Sequence, residues 1–74
     1  MDEKPEWLKR AEHEQKTLAY NIKKLTAMLA DGQRMELIEA EDMILMHDQL
    51  AAMTVYNSKL TMRIQAHGGV TCAE

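Results

Sequence analysis

Near the end of the chain, Tyr56, Lys59 and Arg63 follow one another at steps of three and four, a spacing that gathers them into one row on an α-helix. A phenol ring can stack a nucleobase while two cations hold a phosphate, so the row is a candidate nucleotide or anion site. Earlier, Lys9, Lys16 and Lys23 recur every seven residues with Tyr20 and Lys24 beside them. This is a second cationic face, of which Tyr20, Lys23 and Lys24 join the candidate ligand site. An ordinary solvated face with a tyrosine lying along it is the plainer reading of both rows, and the sequence leaves the choice open.

Other chemistry finds less support. No nucleophile is set beside a base, and Gly68-Gly69 is followed by neither Lys nor a helix-forming run, so it is not a phosphate loop. The expectation is a protein without catalytic residues, metal or cofactor. Glu36, Glu39 and Asp42 recur at steps of three and could present oxygens to a cation, but acids at the start of a helix are more simply complements of its dipole. His13 lies in a charged stretch and reads as solvated, His47 as flanking a buried seam, and His67 as closing a helix whose last carbonyls an imidazole can cap. Cys72 is the only cysteine, which excludes an intramolecular disulfide and fits a reducing compartment.

The rows need helices to carry them. From Leu8, the residues Leu8, Ala11, Gln15, Leu18, Ile22, Leu25 and Leu29 alternate steps of three and four, the seam of an antiparallel helix pair. Gln15 is its only polar member. Pro5 suits a first helical turn, whose N–H groups lack intrahelical partners, so the first helix is expected over about 5–30, with Asp31-Gly32 as its stop. A second series, Met43, Met46, Leu50, Met53, Asn57, Leu60, Ile64 and His67, places the second helix over about 39–67, ended by Gly68-Gly69. Its acids come early (Glu39, Glu41, Asp42) and its cations late (Lys59, Arg63), the order the helix dipole favours. The seam methionines Met43, Met46 and Met53 read as adaptable core filler. The link at 31–38 is either irregular or one added helical turn, and residues 68–74 read as a flexible tail. The expected architecture is a single all-α domain, a two-helix antiparallel hairpin of coiled-coil type.

With 74 residues, a chain buries only about 60% of its unfolded surface and is marginal by itself. Disulfide and metal staples are absent from the sequence, which leaves association. The second helix also carries Ile44, Leu45, Ala51, Ala52, Val55 and Met62 off its seam, and a helix apolar on more than one stripe is buried on more than one side. Ile44, Leu45, Ala51, Val55 and Met62, with Trp7 as a large anchor near the start, are the candidate oligomer interface. Two other readings stay open: Met35 to Ile38 folding over the stripe within one chain, or Trp7 docking a foreign protein.

The formal charge of −3 argues against a dedicated duplex-DNA binder, which needs a clustered basic surface. No uninterrupted apolar run is long enough to span a membrane, and the charged segment from Met1 to Glu6 lacks the apolar core of a signal peptide behind it. These features lead to an expectation of a soluble protein without membrane contact.

The stretch Glu14-Gln15-Lys16-Thr17-Leu18-Ala19-Tyr20-Asn21-Ile22-Lys23-Lys24-Leu25-Thr26-Ala27-Met28-Leu29, and later Gln49-Leu50-Ala51-Ala52-Met53-Thr54-Val55-Tyr56 with Leu60, Arg63 and Ile64, resembles a family of short phage and prophage proteins named for relatedness to a crAss-like phage protein. The likeness covers roughly residues 8–66. It implies a phage accessory protein acting in the host cytoplasm, a class that commonly blocks host defences. In architecture the hairpin is also similar to phage sponges that counter CBASS and Thoeris immunity, which oligomerise and hold cyclic-nucleotide signals between protomers. That likeness implies a homo-oligomer in which Tyr56 stacks a base and Lys59 and Arg63 neutralise phosphates. Sequestration of a host defence protein through exposed apolar helix surface is the alternative.

Overall fold

A computed structural model of the chain describes residues 3–72; the expectations that touch Met1, Asp2, Ala73 and Glu74 lie outside them. Three helices follow in order, α1 (Glu6–Leu29), α2 (Gly32–Met35) and α3 (Ala40–Ala66), with α1 packed along α3 and α2 as a single turn between them. The hairpin is a rod of 54 × 16 × 15 Å.

Pro5 is the residue just before α1, in extended conformation with its carbonyl accepting from the N–H groups of Leu8 and Lys9. The expected stop at Asp31-Gly32 works differently in the structure. Gly32 opens α2, and the Asp31 carboxylate caps that turn by accepting from the N–H groups of Gln33 (3.2 Å) and Arg34 (3.3 Å). A carboxylate two residues ahead of free N–H groups satisfies them locally, so the link holds one helical turn.

At the far end the glycines behave as expected of a stop. Gly68 takes φ 74°, a conformation that costs other residues a clash at Cβ. Its N–H donates to Gln65 and that of Gly69 to Ile64, the two reversed hydrogen bonds that close a helix around a left-handed residue.

The buried positions are Leu8, Ala11, Gln15, Ala19 and Ile22 on α1 and Asn57, Leu60 and Ile64 on α3. Seven of these eight belong to the seams read from periodicity, while Ala19 lies off its series and is buried because a methyl fits where the helices approach. Leu18, Leu25 and Leu29 on α1, and Met43, Met46, Leu50 and Met53 on α3, are half-buried. Packing is therefore tightest at the end that joins the start of α1 to the end of α3, where Leu8, Ala11, Leu60 and Ile64 form one cluster with Trp7 and Leu18 against it.

Inside this seam, the two polar positions meet. Gln15 Nε2 donates to Asn57 Oδ1 at 2.9 Å. Two buried amides satisfied by each other fix the sliding register of two otherwise greasy helices, because any shift would leave them unpaired.

The reading of residues 68–74 as a flexible tail needs correction for its described part. Gly68 to Cys72 turns back along α1: Gln15 Nε2 donates to the Cys72 carbonyl (2.9 Å), the Cys72 N–H donates to Gln15 Oε1 (2.7 Å), and the Val70 N–H donates to Glu12 Oε2 (2.7 Å). A side-chain amide has both a donor and an acceptor, so Gln15 clamps α3 and the C-terminal strap together.

Candidate functional site

One flank of the hairpin carries Trp7 together with the candidate ligand residues Lys24, Tyr56, Lys59 and Arg63. Helical spacing puts Trp7, Glu14, Asn21 and Met28 in line on α1, and Gln49, Tyr56 and Arg63 in line on α3, each separated by seven residues. At the closed end of this flank, the Arg63 guanidinium carbon stands 5.1 Å from the centre of the Trp7 ring, and the His67 ring meets Trp7 edge-on at 4.8 Å. A guanidinium over an indole face is attracted by the ring quadrupole. Arg63 is thus held through its guanidinium face while remaining exposed.

Trp7, assigned above to an oligomer interface, is half-buried in its own chain. Much of its area is already covered by Arg63, His67 and the adjoining core. His67 ends α3 as its C-cap residue, and its ring serves Trp7.

In the middle of the flank, Tyr56 is 47% exposed, and Lys59 lies exposed one turn further on. Toward the link, Asn21, Lys24 and Met28 of α1, Arg34 of α2, and Gln49 and Met53 of α3 line an open cleft of about 580 Å³, within the range that takes small ligands. Asp31 adds a carboxylate to its rim, 3.8 Å from Arg34 Nε. The cleft floor is apolar, from Leu25, Met28 and Met53, and its walls offer two cations and two amides. Such a surface matches a ligand with a flat apolar body and anionic groups.

The two cationic faces are not merged. Lys24 stands over the Tyr20 ring at 5.2 Å, but Tyr20 is 61% exposed on α1 and is not part of the cleft. Lys23 is likewise exposed. Lys24 alone connects that group to the flank. Arg34, Asn21 and Gln49 were missed by the sequence reading. Gln49 had a visible signal, since it precedes Tyr56 by seven residues; Arg34 had none, because its place depends on how α2 folds against α1.

A second open depression, lined by Thr54, Asn57, Ser58, Thr61, Met62, Thr71 and Cys72, lies beside the strap and carries hydroxyls without charge. Among the described residues, no three His, Cys, Asp or Glu side chains come together as a metal site, and no helix is long and apolar enough to cross a membrane.

The stripe off the seam is open. Ile44, Leu45, Val55 and Met62 are each about 60% exposed, and Ala51 and Ala52 are exposed as well. Leu37, in the segment that had been one option for covering them, is itself 85% exposed.

Fold and surface together define the class: an all-helical hairpin whose open flank mixes rings, cations and apolar floor, and whose second long helix bares an apolar stripe. Its sequence matches the Sequestin family model over residues 5–66, which span both long helices and the link, and the chain belongs to that family. No curated protein and no solved structure matches it.

Proposed function

We propose that this chain is a phage-encoded, non-enzymatic anti-defence protein that works by stoichiometric binding in the host cytoplasm, with a cyclic-nucleotide immune signal, held between protomers, as the favoured ligand. The family name points to sequestration as the mode of action. The observation that carries the choice of ligand is a cleft holding Lys24, Arg34 and Gln49, with Tyr56 and Arg63 following Gln49 in the same helical row at steps of seven. An exposed ring stacks a base, worth about 1–3 kcal/mol per base. Guanidinium groups pair with phosphate oxygens through parallel N–H donors. Arg63 is kept in place by Trp7, so less side-chain freedom is lost on binding.

The test is thermal denaturation of the full chain against a panel of cyclic di- and trinucleotides. A ligand bound only by the folded state stabilises by about 2.7 kcal/mol at a hundred times its Kd, so the melting temperature should climb with ligand concentration. Tyr56→Ala and Arg63→Ala should each abolish the shift while circular dichroism shows unchanged helicity. Absence of a shift with every nucleotide refutes the ligand assignment. It would favour the rival reading, in which a host protein is sequestered by the bare apolar stripe of α3.

A further inference from the structure

We infer that α3 pairs with α3 of a second copy, antiparallel and about a twofold axis at the level of Met53, through the face opposite the hairpin seam. This fixes the face, orientation and register of the association assumed in the proposed function, and it does not depend on what the ligand is.

The face is a second seam. Ile44, Asp48, Ala51, Val55, Ser58 and Met62 alternate steps of four and three, the repeat of a coiled-coil contact, and all six are exposed in the hairpin. The series is matched about Met53. Ile44 lies as far before it as Met62 lies after it, and the same holds for Asp48 with Ser58 and for Ala51 with Val55. A twofold contact requires one patch to complement itself. Here an antiparallel partner sets Ile44 against the partner's Met62 and small Ala51 against the partner's Val55, large with large at the ends and small with small at the crossing point.

Charge selects the same orientation. The first half of α3 carries Glu41, Asp42 and Asp48, and the second half Lys59 and Arg63. Antiparallel pairing brings Lys59 beside the partner's Asp48, whereas parallel pairing would stack acid on acid. Area is sufficient too. The chain exposes 5683 Å², against about 4,700 Å² for a compact monomer of its mass. The difference, roughly 1,000 Å², is comparable with the ~800 Å² that each partner gives up in a standard interface. Because the twofold axis stands perpendicular to the plane of the paired helices, the Tyr56 and Arg63 rows of both copies come to one face of the dimer.

Light scattering on the full chain without nucleotide should give twice the 8.5 kDa chain mass at micromolar concentration. Val55→Glu, at a position exposed within the hairpin, should halve that mass with helicity retained. Register is read by cysteine pairing in a Cys72→Ser background. Ile44→Cys and Met62→Cys chains should stay unlinked when oxidised separately and form a covalent dimer when mixed. A wild-type chain of single mass, a Val55→Glu chain that stays dimeric, or efficient self-linking of each cysteine variant alone would overturn the inference. Since no ligand enters these measurements, their failure is separable from failure of the nucleotide assignment.

Discussion

Glu12 receives two donors at once, Lys4 Nζ at 2.6 Å and the Val70 N–H at 2.7 Å. The Lys4 hydrogen bond above all, then the Val70 N–H, hold its carboxyl below the ordinary 4.5 against the opposing effect of desolvation, with the charge of Lys4 adding least. A depressed carboxylate stabilises the fold wherever the unfolded chain would already be ionised. That contribution is therefore complete above the ordinary value and fades as pH falls through the lowered one. Urea midpoints taken from neutral pH into the acid range should drop accordingly, and Glu12→Gln should flatten that part of the curve. An identical acid limb in the variant would show that Glu12 does not sense folding. Hydrogen exchange of the Val70 amide offers a local readout, since its acceptor is weakened in the variant. Gln15, by contrast, carries no charge, and its contribution is specificity. Its amide satisfies Asn57 and Cys72 together, so it ties register and strap to one side chain.

The end of α3 shows how closely an element can depend on two residues. Gly68 supplies the positive φ, and Gly69 the clearance: a Cβ built on Gly69 would lie 2.5 Å from Ile64 Cγ2 and 3.0 Å from Leu8 Cδ1. Ile64 is fully buried and cannot swing away. Gly69→Ala should accordingly cost about 1–3 kcal/mol, the usual range for overpacking a tight site, seen as a lower urea midpoint with the helix content of α1 and α3 unchanged. A neutral result would mean that the strap is free to lift off α1. The two long helices themselves were readable from spacing, within a residue or so at each end, because an apolar seam is a local, repeating signal. The strap was not, since its partners Glu12 and Gln15 stand far away in sequence. Neither was the role of Gly32, where a capping aspartate and a terminating glycine offer the same dipeptide two uses.

Taken whole, the rod has a radius of gyration of 15.4 Å, against about 11 Å for a compact domain of its length. Its tight core is confined to one end, and its link end is held by half-buried leucines and methionines. A partner that binds only the folded hairpin stabilises it by mass action. The melting temperature of the wild-type chain should therefore rise with chain concentration, while that of Val55→Glu should not; a concentration-independent value for both would point to a self-sufficient monomer. Periodicity alone was enough to establish two amphipathic helices and a surplus of apolar positions on the second, because side-chain direction repeats with the helical turn whatever the chain packs against. It could not say that Arg63 would rest on Trp7, that Arg34 would join Lys24 at a cleft, or that Gln15 would find both Asn57 and Cys72. The pairings of Arg63 with Trp7 and of Gln15 with its two partners join positions 42 or more residues apart, and only the register of one helix on the other brings them within reach, whereas Arg34 reaches the cleft through the fold of α2 against α1.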